Sequence, residues 1–164
     1  QLDGRSMDMA IDNLKIFGAQ TGILIMGDCE GPMISHSLMM ACGIGLRSST
    51  TVERPWLALH DSHIAARHIG VLLEGRAQAT IHDNLIYRGP TSENGFVGIY
   101  LSGSQDARVH SNEIYILGTI MGQTNYGVVI TVPTGIVNNN IIRSTSVTIY
   151  KTVNGAITEP NFIG

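Results

Sequence analysis

The sequence predicts an all-β solenoid, a chain wound as a single-stranded parallel β-helix of about six coils. Three observations carry this. First, one segment is written twice: Ile81-His82-Asp83-Asn84-Leu85-Ile86-Tyr87 is answered by Val109-His110-Ser111-Asn112-Glu113-Ile114-Tyr115, and Gly98-Ile99-Tyr100-Leu101 by Gly127-Val128-Val129-Ile130. Second, Asn84, Asn112 and Asn140 recur at intervals of 28 residues. A period near this length, made of short alternating strands, marks a solenoid. Third, 19 glycines and only 14% charged residues, with a mean hydropathy of +0.15, suit many turns around one long aliphatic core.

The coils follow in order. The first holds Ile11-Asp12-Asn13-Leu14-Lys15-Ile16 and Gly22-Ile23-Leu24-Ile25, with its Asn one place off the later register. The second holds Ile34-Ser35-His36-Ser37-Leu38-Met39 and Gly43-Ile44-Gly45-Leu46, and the third Leu59-His60-Asp61-Ser62-His63-Ile64 and Gly70-Val71-Leu72-Leu73. The fourth and fifth are the repeated pair. The sixth has Val137-Asn138-Asn139-Asn140-Ile141-Ile142 and then Ser146-Val147-Thr148-Ile149. In this reading the Gly-led strands start 21, 27, 28 and 29 residues apart. Loops can swell at a corner while strands stay in register.

Each strand alternates with period two. Inward positions are Ile23 and Ile25, Ile44 and Leu46, Val71 and Leu73, Ile99 and Leu101, Val128 and Ile130, Val147 and Ile149. One coil cannot bury them alone, so stacking supplies the core, at roughly 1.5–3 kcal/mol per buried aliphatic. The Ser62, Asn84, Asn112, Asn140 column falls between two strands. Asn tolerates a left-handed turn, and its amide can bond its copy one coil away. A leucine-rich repeat would need Leu at most framework positions in a 20–29-residue unit; here the framework is Ile and Val, and no period of 3.6 appears.

The Ile-x-x-Asn-x-Ile turns followed by Gly-Ile-x-Leu strands resemble the right-handed parallel β-helix of the pectin-lyase-like superfamily. That group includes pectate lyases, rhamnogalacturonases, alginate epimerases and bacteriophage tailspikes. The resemblance spans residues 7–151. It speaks to fold more than to activity, since repeats are scaffold. The catalytic arginine and calcium-binding aspartate pattern of pectate lyases is not recognisable, and no Cys-His, Ser-His-Asp or phosphate-loop constellation stands out.

Residues 1–164 are expected to form one β-helix domain, a fragment of a longer chain because the first repeat begins almost at once. Residues 152–164 read as a terminal strand or cap, which an open coil end needs. The polar or Gly-rich stretches 48–55, 88–95 and 118–125 read as loop insertions of the kind that wall a groove. A net charge of -3 argues against nucleic acid, which needs clustered Lys and Arg. No apolar run approaches the roughly 18 residues of a membrane span. Cys29 and Cys42 read as two buried thiols.

Candidate chemistry lies on the outward columns. His60, His82, His110 and Asn138 form one, flanked by His36, Asp61, Asp83, Ser111 and Asn139. Strands lie about 4.8 Å apart, so Asp61 and Asp83 are candidate carboxylates for glycoside hydrolysis. Stacked His and Asp also suggest a metal site, against the plainer reading of a polar face capping the Asn turn. No metal and no cofactor is expected. Glu74 with Asp106 is the second candidate catalytic pair. Arg47 and Glu74 are expected to pair across coils; Arg76, Arg108, His82 and His110 are candidates to contact acidic sugar, against the plainer reading of a charged rim. Tyr87 and Tyr115 occupy matching positions, with Met40 and Arg143 in line, and offer a sugar-stacking platform. Trp56 is a second platform or a plug.

The outward column Leu24, Gly45, Leu72, Tyr100, Val129, Thr148 is apolar, and apolar patches mark interfaces. The resemblance to tailspikes implies a homotrimer through Leu24, Leu72, Tyr100 and Val129, located on a virion or outside the cell. It implies binding or depolymerisation of bacterial surface polysaccharide. If the chain is an enzyme, it is a glycoside hydrolase or polysaccharide lyase. The alternatives are a non-catalytic shaft or adhesin, and a lyase or epimerase.

Overall fold

The structure, a computed structural model, describes residues 8–27, 29–89, 95–103, 106–116, 125–131, 134–144, 150–152, 157–158 and 162–163. Among them there is no helix, and every paired strand is parallel to its neighbour. The strands stack into a β-solenoid with three faces. The first face runs through Ala10–Asp12, Met33–Ser35, 58–60, 80–82, Asp106–His110, Thr134–Asn138 and Ile157–Thr158. The second runs through Lys15–Phe17, 38–40, 63–66, Leu85–Arg88, Glu113–Ile116, Ile141–Ser144 and Phe162–Ile163. The third runs through Thr21–Met26, 44–49, 69–74, Val97–Ser102, Tyr126–Thr131 and Tyr150–Thr152. Two long strands, Leu38–His60 and His63–His82, bend round corners and join the faces into one sheet.

Period-two alternation sets what points inward. Ile25, Leu46, Val71, Leu73, Ile99, Leu101, Val128 and Ile130 are fully buried from the third face. Leu59, Ile81, Val109 and Val137 meet them from the first face, and Met39, Ile64, Ile86, Ile114 and Ile142 from the second. These belong to one continuous cluster.

The turn between the first and second faces is the most regular feature. Its left-handed residue is not the Asn but the residue before it: Asn13, His36, Asp61, Asp83, Ser111 and Asn139 all have φ between 46° and 56°. The Asn is thereby freed to bond between coils. Leu14 N donates to Ser37 Oγ (3.3 Å), Ser37 N to Ser62 Oγ (3.1 Å), Ser62 N to Asn84 Oδ1 (3.0 Å), Asn84 N to Asn112 Oδ1 (3.2 Å) and Asn112 N to Asn140 Oδ1 (3.0 Å). Each Asn Nδ2 also donates downward, Asn84 to Leu59 O and Asn112 to Ile81 O, both at 3.0 Å. The first coil's Asn13 is one place early, as the spacing predicts, and Leu14 holds the ladder position.

The register differs from expectation in the second coil. Ile23 pairs with Leu46 and Leu24 with Arg47, so Gly45, not Gly43, answers Gly22. Gly45 and Gly98 show why a glycine stands there. A Cβ on Gly45 would lie 2.6 Å from Gly70 O and 2.3 Å from Ile64 Cγ2; one on Gly98 would lie 2.5 Å from Gly127 O and 2.7 Å from Ile114 Cγ2. The coils touch backbone to backbone at this corner. The slip moves Ser48, fully buried, into the inward place held by Ile25 and Leu73, and leaves Ile44 half-buried. The outward column therefore reads Leu24, Arg47, Leu72, Tyr100 and Val129, apolar but for Arg47, with Lys151 next in register. Arg47 replaces the expected Gly45 and Lys151 the expected Thr148. Leu72 and Val129 are already 8% and 6% exposed within the single chain, which leaves Leu24 and Tyr100 as the more open members.

Other expectations shift locally. The stretch 48–55 runs within the strand Leu38–His60, with a register shift between Ser49 and Arg54. Residues 90–94 and 118–124 of the other two insertions lie outside the described residues. So do 146–149, expected as the sixth Gly-led strand; the strand that pairs with Val128, Val129 and Ile130 is Tyr150–Thr152. Within 152–164, Ile157–Thr158 and Phe162–Ile163 continue the first and second faces. Cys29 and Cys42 are both buried.

Candidate functional site

The predicted residues separate onto three faces. Glu74 stands on the third, opposite Ser102, and makes a 3.4 Å ion pair with Arg47 in which both side chains are about 40% exposed. Exposure limits such a pair to roughly 0–1 kcal/mol. Asp106 starts a strand on the first face, opposite Gln78, so the fold puts Glu74 and Asp106 on different faces with a corner between them. Trp56, half-buried, stands on the first face opposite Gln78. Its ring lies against Gly31, where a Cβ would come within 3.2 Å of Cε2; it fills that gap rather than joining the tyrosines. Arg76 pairs in register with Arg54, and its side chain lies outside the described residues.

On the first face the histidines form a stack. His60 and His82 have ring centroids 5.1 Å apart and planes within 5°, and His82 and His110 are 5.0 Å apart within 6°. His36 meets His60 edge-on at 6.1 Å. The left-handed turn residue of each rung pins the ring: Asp61 accepts from His60 Nδ1 at 2.8 Å and Asp83 from His82 Nδ1 at 2.7 Å. Asp12 does the same for His36 at 2.8 Å. The hydrogen bond from His60 holds the Asp61 carboxyl below the ordinary aspartate range against a small opposing effect of burial, and that from His36 does so for Asp12. Stacked rings 5 Å apart do not converge on one ion, and among the described residues no cluster of three or more His, Cys, Asp or Glu has metal-holding geometry.

On the second face Tyr87 and Tyr115 are direct rung partners, with Arg143 next in register. The pair is braced from both sides. Tyr87 Oη donates to Met40 Sδ at 3.4 Å, and its ring rests on His63 with centroids 5.1 Å apart. Tyr115 Oη donates to Glu113 Oε2 at 3.0 Å, and the Arg143 guanidinium lies 5.6 Å from the Tyr115 ring centroid, within cation–π reach. Leu85, Tyr87, Arg88, Glu113 and Tyr115 line an open hollow of about 290 Å³. Leu85 and Glu113 also line a neighbouring hollow of about 380 Å³ with Asp83, Asn84 and Ser111. The two share Leu85 and Glu113 as a common wall, so Asp83 lines the hollow next to that of the tyrosines while Asp61 lies one coil below it.

Glu113 is the groove residue that sequence reading missed. Its signal was present: in Glu113-Ile114-Tyr115 the middle residue is buried, so period two turns Glu113 outward with Tyr115. An outward aromatic pair supplies π-faces for the apolar side of a sugar ring, and Glu113 and Asp83 add hydroxyl acceptors beside it.

A family model described as "Right handed beta helix region" matches residues 2–163, and the chain belongs to that family. No curated protein and no solved structure matches the chain. The family's fold is compatible with polysaccharide binding and with structural roles.

Proposed function

We propose that this chain binds an extended polysaccharide in the groove over Tyr87, Tyr115 and Glu113, in the manner of a phage tailspike-like β-helix acting on bacterial surface glycan at a virion or other extracellular surface. The observation that carries the reading is the in-register tyrosine pair, half-buried beside an open hollow and braced by Met40, His63, Glu113 and Arg143. Rings held this way lose little further freedom on binding. The reading is binding rather than cleavage. Of the carboxylates first considered for hydrolysis, Asp61 lies one coil below the groove and is held low by His60, which does not suit it to the part of general acid.

Titration calorimetry against capsular and lipopolysaccharide fractions tests it. Tyr87→Ala with Tyr115→Ala is expected to weaken binding at least about fivefold, since stacking contacts of this kind are worth about 0.5–1.5 kcal/mol each. Undiminished binding in the double variant removes the proposal. Release of reducing ends that disappears in Asp61→Asn or Asp83→Asn would convert the reading from binding to hydrolysis.

A shaft or adhesin without sugar affinity is the second reading. The unbroken ladder from Leu14 to Asn140 favours it, because a rod needs regular axial bonding and no cleft. Assembly into a trimer through the column of Leu24, Leu72, Tyr100 and Val129 belongs to both readings. Light scattering that gives a single-chain mass at micromolar concentration removes it.

A further inference from the structure

We propose that Arg108, His110, Asn138 and Asn139 form a second binding site on the first face, for the anionic group of an acidic sugar, and that acidification switches it on. These residues, with Ile136, line a hollow of about 310 Å³. Arg108 and His110 are alternate residues of the strand Asp106–His110, and Ile136 and Asn138 are their partners one coil above. The hollow thus offers a guanidinium, an imidazole and two amides, with the exposed Ile136 as its one apolar side chain. Such a set matches a carboxylate or sulfate carried on a carbon ring.

The gating comes from a break in the histidine column. A carboxylate only accepts, so Asp61 and Asp83 place the proton of neutral His60 and His82 on Nδ1 and neutralise either ring when it charges. On the next rung Ser111 stands where those aspartates stand, 3.3 Å from His110 Nδ1. A second proton on His110 therefore has no carboxylate hydrogen-bonded at Nδ1 to neutralise it. Among the described residues its charged surroundings are Arg108 and Asp106 on its own strand, His82 and Asp83 below, and Glu113 beyond the turn; above it stand the uncharged Asn138 and Asn139. Charging His110 leaves Arg108 and an imidazolium side by side over the hollow. Burial, then His82 and Arg108, hold His110 below the ordinary histidine range, with Asp83 pulling the other way. An anion in the hollow reverses that balance. Proton uptake and anion binding then reinforce each other, because the linkage is reciprocal.

The test is an NMR titration of the His110 ring in the whole chain, with sodium glucuronate and inorganic sulfate as probes and glucose as the neutral control. It is run near pH 5.5 and near pH 7.5, on either side of the ordinary histidine range. Expected is anion binding about tenfold tighter at the acid pH, with His110 titrating higher when the probe is present. Arg108→Gln should weaken binding at both pH values, and His110→Gln should leave Arg108-dependent binding with no pH response. Binding of both anions supports a site for the anionic group itself; binding of glucuronate alone supports a sugar-acid site. A His110 ring unmoved by either anion, glucose acting as well as glucuronate, or a pH response surviving in His110→Gln would overturn the proposal. Tyr87→Ala, which bears on the polysaccharide groove, should leave this site unchanged, so the two readings fail separately.

Discussion

Asn112 shows how much one side chain can carry. Its Oδ1 accepts from both the backbone N and Nδ2 of Asn84, and its own Nδ2 donates to Ile81 O, His110 O and Asn140 Oδ1. It is fully buried, so no water replaces those partners. Removing it leaves the Asn84 backbone N–H without its acceptor and takes a donor from the Ile81 and His110 carbonyls, while Asn84 Nδ2 keeps Leu59 O and His82 O. Asn112→Ala should cost roughly 2–4 kcal/mol, because each buried group left unpaired costs about 1–3 kcal/mol. The measurement is the urea midpoint; a shift corresponding to less than about 1 kcal/mol would mean the ladder is ornament rather than support. The role of Asn was legible in the sequence, since its spacing and its amide suggested a ladder. The left-handed geometry was assigned one residue late, because Asn is the usual occupant of that conformation and His36, Asp61, Asp83 and Ser111 are less usual ones.

At the scale of the strand, the glycine corner decides the register. Gly98→Ala pushes a methyl into Gly127 O at 2.5 Å, a backbone atom that cannot swing away. It should destabilise by about 1–3 kcal/mol or more, as overpacking does. Gly18→Ala is the control: nothing lies within 4 Å of its Cβ, yet φ is +69°, so only left-handed strain of roughly 1–2 kcal/mol applies. Comparable costs alone would not separate the two causes. A crystal structure of Gly98→Ala should show the fourth and fifth coils displaced near Gly127, and an undisturbed corner would refute the contact argument. Register is also where sequence reading met its limit. Gly43 and Gly45 both lead plausible strands, and one-dimensional alternation cannot choose between them, since they differ by one full period. The choice rests on which glycine faces Gly70 O across the coil, a contact between residues far apart in the chain. The same ambiguity put Gly45 in the apolar column that Arg47 occupies. The partition of candidate residues among faces was partly legible: the His and Tyr columns were, whereas the corner between Glu74 and Asp106 depended on where the bends fall.

For the whole molecule, acidity should act in two windows. His63 is half-buried with an unpartnered Nε2, and burial lowers its pKa; His110 is lowered as well. A histidine depressed in the fold takes up its proton more readily when unfolded. Its contribution is complete above the ordinary value of 6.5 and is lost as pH falls through that value toward the folded one. Asp12 and Asp61 are lowered too, so theirs is complete above 3.8 and is lost at still lower pH. Urea stability should therefore fall first through the histidine range and again in strong acid. His63→Leu, which places in that column the residue already found at Leu38 and Leu85, should flatten the first fall. A first fall of unchanged depth in that variant would assign it to other groups. The three stacked faces also repeat, inside one covalent chain, the parallel in-register spacing that separate chains adopt in amyloid. An aligned sample should give a sharp X-ray reflection near 4.8 Å along the solenoid axis, and dyes that report fibrils by their strand spacing should brighten on this protein while it is still folded and dissolved.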